Sequence, residues 1–485
     1  MMNICKPFIY TFQTRLHHYL YDVNTNLILR IKEEAYDFLN QHRSFDLNQI
    51  EDTPELQQYI GHLLDNGFLS SQRPQIIHHP KTKHLEHMLK YQLKTLTLQV
   101  TQNCNLRCSY CVYSGNYDNR GHSSLRMDFE TAKKCIDFVI DRSVDSERLD
   151  FGFYGGEPLI NFPLIQQCVE YIKEKVVHRD IGFHLTTNGT LLNDDILAFL
   201  NEHQFVLTVS LDGDKENHDR NRRFAVNGRG SFDTIIANVD KIKESYPDLF
   251  EWINFNVVMD TRNDFGCVND FYANYETFES LYSVRSSYIN DAYAKDEVMY
   301  RNTFIEQRGY EVFKMMLSKF GRMDESHVSK LIKDYYVQIY FRMFHYRKPS
   351  AGMPLEAHHG GPCVPGVQRL FADVNGNLYP CERVSEQSEV VQIGNVDSGF
   401  DVDKISQILN VGSITEDACK NCWNFRFCTL CVAVADDLHT LSREMKLNHC
   451  AVVKNDVRHT LLDFCMLNEL GYDFSDDTIL DFENA

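Results

Sequence analysis

Positive charge is what this chain has least of. Lys and Arg number 49 against 68 Asp and Glu, a formal net charge of −19, so broad binding to nucleic acid or to an anionic membrane is not expected. No apolar run approaches the ~18 residues of a membrane span. The opening 1-MMNICKPFIYTF-12 lacks a charged segment followed by an apolar one, so no signal peptide is expected and a cytoplasmic location is. Internal repeats and low-complexity tracts are also missing.

Cysteine is abundant by contrast. The chain holds 15, which in a reducing compartment points to metal ligation before disulfides. They are unevenly placed. Cys104, Cys108 and Cys111 form one group, and Cys363, Cys381, Cys419, Cys422, Cys428, Cys431 and Cys450 form another. Cys5, Cys135, Cys168, Cys267 and Cys465 stand alone. Cys135 and Cys168 fall in helix-like runs and are expected to be buried small hydrophobes.

A length of 485 residues suggests about three domains at roughly 150 residues each. Residues 1–90 form a small first module. Its strand-like segments in 8-FIYTFQTRLHHYLYDVNTNLILRI-31 are broken by the turn 22-DVNTN-26, and helical patterns follow at 32–40 and 53–69. A few strands with short helices resemble a winged helix without its basic face. From 91 to 299 strand and helix patterns alternate. Strands are predicted at 95–101, 149–155, 181–187, 205–211, 253–259 and 281–289, with helices at 129–143, 163–176, 193–203 and 231–245. Repeated β–α units imply a parallel sheet with right-handed crossovers. Six units are too few for an eight-fold barrel, so a partial (β/α)6 barrel is expected, with function at the C-terminal strand ends. Residues 300–350 read as a helical bridge. Residues 351–465 hold the second cysteine group and a hairpin, 373-DVNGNLYPC-381, whose Asn-Gly fits a two-residue turn. Residues 466–485 form an acidic tail expected to fray or dock weakly.

The loop 102-QNCNLRCSYCVY-113 follows the first barrel strand with C-x3-C-x2-C spacing. Three thiolates do not complete a tetrahedral zinc site. They suffice for three irons of a [4Fe–4S] cube and leave the fourth open. A structural zinc with a distant fourth ligand is the alternative. The spacing, the aromatic Tyr110 before the last cysteine, and the position after strand one together resemble the radical S-adenosylmethionine (SAM) enzymes. The resemblance implies that 153-FYGGEPLIN-161 holds the SAM amino group through Gly155, Gly156 and Glu157. It also implies that Thr187 and Asn188, ending strand three, and Ser210 and Asp212, ending strand four, face SAM ribose and substrate. The pair 218-HDRNR-222 and 228-GRGSF-232 recurs in one subgroup, so Arg222 is implied at the SAM carboxylate or the substrate. The chemistry implied is one-electron cleavage of SAM to a 5′-deoxyadenosyl radical, with the protein orienting the reactants and excluding water.

The second group, Cys363-x12-Gly376-x4-Cys381, then Cys419-x2-Cys422-x5-Cys428-x2-Cys431, then Cys450, resembles the SPASM domain of radical SAM peptide-modifying enzymes. One element departs, since the family has x3 where this chain has x2 before Cys431. A zinc ribbon, by contrast, wants its C-x-x-C pairs ~15–20 residues apart. The resemblance implies two auxiliary [4Fe–4S] clusters, one on Cys363, Cys381 and Cys431 and one on Cys419, Cys422, Cys428 and Cys450, three clusters in all with the first. It also implies a general base at Glu382, directly after Cys381. With 19-YLYDVNTNLILRI-31 the first module resembles the recognition element that captures a precursor's leader peptide by strand addition.

The whole is similar to a maturase of a ribosomally made precursor peptide that joins cysteine sulfur to carbon as a thioether. A low-potential flavodoxin or ferredoxin is the implied reductant. Carbon–carbon crosslinking, formylglycine formation in a sulfatase, and, outside enzymes, a zinc-binding regulator are the alternatives.

Overall fold

The computed structural model describes residues 4–46, 50, 54–281, 284–296, 299–474 and 479–481. The first module is an antiparallel sheet of strands β1 (Ile9–Gln13), β2 (His18–Asp22) and β3 (Leu27–Ile31) with helices α1 (Glu33–Gln41) and α2 (Pro54–Asp65). Successive side chains of a strand point to opposite faces, and here both faces are buried. Leu20, Leu29 and Ile31 pack under the helices against Phe38, Tyr59, Ile60 and Leu63. Tyr19, Tyr21 and Ile28 face the rest of the chain and join its main core.

Six parallel strands then run side by side in chain order. They are β4 (Thr95–Thr101), β5 (Arg148–Gly155), β6 (Asp180–Thr187), β7 (Val206–Ser210), β8 (Ile253–Met259) and β9 (Arg285–Tyr288). Helices Phe129–Ile140, Phe162–Lys175, Asp194–Glu202, Phe232–Ser245 and Phe265–Asn274 cross between them. Asp128, Asn193 and Asp264 each cap a helix by accepting from a backbone N–H of the first turn, as short polar side chains do. Leu149, Phe151 and Phe153 alternate under the helices of one face, which is the period of two read from the sequence. The last strand is shorter than the predicted 281–289, of which 282–283 lie outside the described residues. Its four residues are all exposed, so nothing apolar holds a longer edge in place. Cys135 and Cys168 are fully buried in their helices, as expected.

The sheet does not stop at β4. On its other side β4 pairs in parallel with β10 (Phe371–Ala372), Phe371 opposite Thr97 and Ala372 opposite Leu98. Strands β11 (Asn377–Tyr379), β12 (Gly394–Asn395) and β13 (Gly399–Phe400) extend it antiparallel. One ten-stranded sheet therefore carries both cysteine regions. The expected two-residue turn is longer, because the hairpin closes at Ala372 and Leu378. The Asp373 carboxylate accepts from the backbone N–H groups of Asn375 and Asn377 at 2.8 and 2.9 Å, and Gly376 takes φ +77°, so the aspartate shapes a five-residue loop.

The bridge is helical over Asn302–Lys319 and Lys330–Ile339, and a wider π-turn continues the second helix through His345. Helix Cys450–Glu469 runs through residue 465. Beyond it Phe474 is buried against Phe464 and Phe344, and Ile479–Asp481 pairs in parallel with β3. The acidic tail is thus docked at these points, where burial of an aromatic ring and strand pairing outweigh its charge. Among the described residues no helix is long and apolar enough to cross a membrane.

The ring of Phe205 is fully buried and meets Phe183 at 5.3 Å and Phe153 at 6.0 Å. Phe205→Ala should cost about 3–5 kcal/mol, read as a lower urea midpoint of the purified protein.

Candidate functional site

The first cysteine loop leaves the end of β4 and is clamped from two sides. On one, Gly156 N–H donates to Thr101 O and Glu157 N–H to Asn103 O, each at 2.9 Å. A Cβ on Gly155 would lie 2.1 Å from Thr101 O, and one on Gly156 would lie 2.2 Å from Asn103 O. From the sequence these glycines were expected to admit a ligand. What they admit here is the backbone of the cysteine loop. On the other side Arg107 N–H donates to Arg223 O (2.8 Å), Ser109 N–H to Asn221 O (3.1 Å) and Ala225 N–H to Asn105 O (2.8 Å). The segment that carries Arg222 therefore runs against the loop.

Cys104, Cys108 and Cys111 are half-buried and free of disulfides. Burial pushes the Cys104 thiol up to about 12, with Glu157, Cys108 and Cys111 adding to the rise. Cys108 is pushed up to about 11, first by burial and further by Cys111, while Arg222 acts downward. Burial also raises Cys111, against Arg222, Arg120 and Arg107. Cys104 Sγ accepts from Leu106 N–H at 3.4 Å and has the Asn188 amide at 3.9 Å. Three mutually repelling thiols backed by a cation and N–H donors fit a thiolate-bound group. Among the described residues no three His, Cys, Asp or Glu side chains converge on one ion.

The other strand ends meet beside the loop. Glu157 is fully buried, and its carboxylate accepts from Thr187 Oγ1 (2.7 Å), Asn188 N–H (2.7 Å) and Leu159 N–H (3.1 Å). It ties the end of β5 to the end of β6, and burial raises its pKa. Ser210 stands half-buried at the end of β7. Asp212 is buried, accepts from Tyr110 Oη and from Val258 N–H, and is raised by burial. Arg222 Nη1 donates to Tyr110 Oη at 2.8 Å, and its buried Nε has no partner.

His218, not singled out in the sequence, locks this set. Asp212 N–H donates to Nδ1 (3.2 Å), Nε2 donates to Ser231 Oγ (3.0 Å), and Ser231 Oγ donates to Arg222 O (3.0 Å). The imidazole is held neutral, pushed down to about 2 by burial and by Arg222.

A cavity of about 220 Å³ opens next to Tyr110 at the C-terminal ends of β8 and β9, lined also by Ser109, Asp260, Arg262 and Met299. Arg262 clasps Asp260 through two hydrogen bonds of 2.8 and 2.7 Å. Burial works against that carboxylate, yet the guanidinium keeps it below the usual range.

The second cysteine group sits across β4. Cys381 is pushed up to about 12 by burial, then by Glu382 and Cys431. Cys431 is raised by burial and by Cys363. Burial, Cys422 and Cys419 raise Cys428 to about 11, and burial, Cys419 and Cys450 raise Cys422. These mutual effects link Cys363, Cys381 and Cys431 as one electrostatic neighbourhood and Cys419, Cys422, Cys428 and Cys450 as another. Glu382 pairs with Arg369 at 3.3 Å and lies 3.9 Å from Arg383.

The sequence did not disclose Glu386. Its carboxylate accepts from Gln99 Nε2 (2.7 Å) on β4, Tyr113 Oη (3.0 Å) beside Cys111, and Arg120 Nε (2.7 Å). The Arg120 guanidinium lies 3.7 Å over the Tyr113 ring. This buried pair fastens the second cysteine region to the first loop. No spacing announces it, because its partners are 266–287 residues away.

The Radical SAM superfamily profile matches residues 98–266, so the chain carries a radical SAM domain, whose family implies SAM and a [4Fe–4S] cluster. An uncharacterized protein of Methanocaldococcus jannaschii is 38% identical over 121 residues, 25% of this chain and 39% of that protein. A cysteine-type anaerobic sulfatase-maturating enzyme of Clostridium novyi is 33% identical over 158 residues, 32% of this chain and 41% of that enzyme. The chain therefore spans about two fifths of the length of these curated relatives. The solved structure of native anSMEcpe with bound AdoMet and Kp18Cys peptide shares the fold at TM-score 0.56 and 18% identity, over 77% of this chain and 99% of that one.

Gly156→Ala has no room for its methyl group and should displace the cysteine loop. Anaerobic iron analysis should show a lower iron content than the parent protein. The depressed His218 gives a pH signature. Unfolding lets the imidazole take a proton below its usual 6.5, so its contribution to stability is complete above about 6.5 and falls as pH drops, by at most about 1.4 kcal/mol per pH unit. His218→Gln should flatten the fall in thermal midpoint between pH 7.5 and 5.

Proposed function

We propose that the chain is a radical SAM maturase that takes hydrogen from a carbon of a ribosomally made precursor peptide and joins a cysteine sulfur there as a thioether. The observation that carries this reading is the three-thiol neighbourhood of Cys363, Cys381 and Cys431, in which Cys363 is exposed. Three cysteines leave one iron of a cube without a protein thiolate, which is a place for a substrate's. Cys419, Cys422, Cys428 and Cys450 would hold a complete second auxiliary cluster, three clusters in all with that of Cys104, Cys108 and Cys111.

When bound, the first cluster and SAM supply a 5′-deoxyadenosyl radical. The chain's residues bind and orient. Arg222 presents an unpartnered buried Nε suited to the SAM carboxylate. Gly155, Gly156, Glu157, Thr187, Asn188, Ser210, Asp212 and Tyr110 shape the bed beside it. Glu382, with Arg369 at 3.3 Å and Arg383 at 3.9 Å from its Oε1, is the proton acceptor for a substrate group. The cavity beside Tyr110 admits the peptide. Residues 1–90 serve as the winged-helix-like reader of the leader. Because β3 already pairs with Ile479–Asp481, β1 is the edge strand left for strand addition among the described residues. A flavodoxin or ferredoxin of low potential is the reductant.

Formylglycine formation is the second reading, favoured by the match to a cysteine-type sulfatase-maturating enzyme and by Glu382 directly after Cys381. Mass spectrometry of a co-expressed precursor separates the two. A thioether removes two hydrogens per link and one free thiol in step. Persisting free thiols with the same mass loss would instead mean carbon–carbon links, and a hydrazide-reactive aldehyde would mean formylglycine. Anaerobically purified protein should be brown and carry about twelve irons. A colourless zinc protein would end the radical reading.

A further inference from the structure

Two buried polar side chains near the four-thiol neighbourhood are incompletely matched by the protein's own described groups. Lys446, on helix Arg443–Asn448, is 1% exposed. Its Nζ donates to Thr415 Oγ1 at 2.8 Å and lies 3.9 Å from Cys419 Sγ. Among the described residues no Asp or Glu pairs with it. Lysine is almost never fully buried unpaired, because an ammonium removed from water without an anion is costly. His359 is also 1% exposed. Neither of its ring nitrogens has a hydrogen-bond partner. Leaving buried polar atoms unsatisfied is likewise costly.

Both groups stand beside the four cysteines. Lys446 Nζ lies 3.9 Å from Cys419 Sγ and its carbonyl accepts from Cys450 Sγ at 3.7 Å, while His359 opens the segment whose Gly360 and Gly361 run against the backbone of Arg426 and Cys428. A cation and an N–H donor, both out of water, thus border this cysteine set. The missing element is an anion with acceptor atoms, and a thiolate-bound iron–sulfur cube is one, negatively charged with sulfide acceptors.

We propose that Lys446 and His359 are the counter-charge and hydrogen-bond donor of the cluster held by Cys419, Cys422, Cys428 and Cys450, and that they raise its reduction potential. This rests on the reading that those four cysteines hold a cluster. Adding an electron makes the cube more negative, so a fixed cation and a donor favour its reduced form. Lys446 and His359 are positioning residues for this centre and touch no substrate.

The test is an anaerobic redox titration of the full chain followed by electron paramagnetic resonance, with iron counted in the same samples. Lys446→Met should shift one cluster's oxidised-to-reduced ratio at least tenfold toward oxidised, a midpoint lower by about 59 mV for one electron. Lys446→Arg should retain the midpoint, and His359→Phe should lower it. The iron-free protein gives a second readout. With no anion to balance, Lys446→Met should raise its thermal midpoint, whereas a merely structural lysine would make it fall. A Lys446→Met protein with full iron and unchanged potentials overturns the proposal. So does one that loses iron while its iron-free form is destabilised. A Cys419→Ser, Cys450→Ser double variant that keeps all its iron would overturn the underlying cluster reading instead.

Discussion

Strand β4 is hydrogen-bonded on both of its edges, to β5 on one side and β10 on the other, and the site depends on that. The first cysteine loop leaves its C-terminal end. The turn that clamps the loop leaves β5, and Cys381 follows the hairpin that begins with β10. Because strands pair at a fixed spacing of about 4.8 Å, these pieces cannot drift independently. Gln99, in the middle of β4 and fully buried, adds a side-chain bond to Glu386 across the same junction. The sheet thus serves as a ruler between two cysteine regions that the chain separates by more than 250 residues.

Around this ruler the interior carries an unusual load of buried polar groups. Glu157, Asp212, Arg222 and His218 are each at most 6% exposed. Every one of them costs desolvation energy, offset by hydrogen bonds that join Glu157 to Thr187, Asn188 and Leu159, Asp212 to Tyr110 and Val258, His218 to Asp212 and Ser231, and Arg222 to Tyr110. Such networks rigidify when complete. They hold the loop, the strand ends and Arg222 in one arrangement before any ligand arrives, which lowers the ordering cost of binding. Some buried polar atoms are left without partners. Arg222 Nε, Arg120 Nη2 and the His359 ring nitrogens are among them.

Much of this was legible in the sequence. The alternation of strand and helix placed β4 to β8 within a residue or two, since period-two burial under amphipathic helices leaves a local signature. The cysteine spacings marked both groups of thiols, because side chains meant to act together on one loop are close in sequence. What stayed hidden is long-range or non-periodic. Gly155 and Gly156 were readable as glycines that something approaches, but not as glycines approached by residues 101–103. Glu386 and Arg120 meet only through tertiary packing, and Lys446 looked like any helix lysine. The Asn375–Gly376 pair suggested a two-residue turn, but Asp373, two residues earlier, reset its length by capping two N–H groups.

The shortened spacing before Cys431 has a structural counterpart. A Cβ on Gly361 would lie 2.7 Å from the Thr429 carbonyl carbon and 2.9 Å from the Cys428 and Leu430 oxygens, so only glycine lets strand-like chain at 360–361 pass against 428–430. Two residues after Gly361 comes Cys363, and one after Leu430 comes Cys431. The close crossing therefore brings these two thiols together while Cys428 stays with the other set. The same stretch also anchors the first module. Tyr10 of β1 stacks on Trp423 at 3.9 Å, Tyr21 packs on Phe427, and Arg426 donates to the carbonyls of Val23 and Asn24. With Trp423 between Cys422 and Cys428, the sheet of the first module is braced on the four-cysteine loop. Residues 419–431 thus contribute to both thiol neighbourhoods and to the seat of the first module.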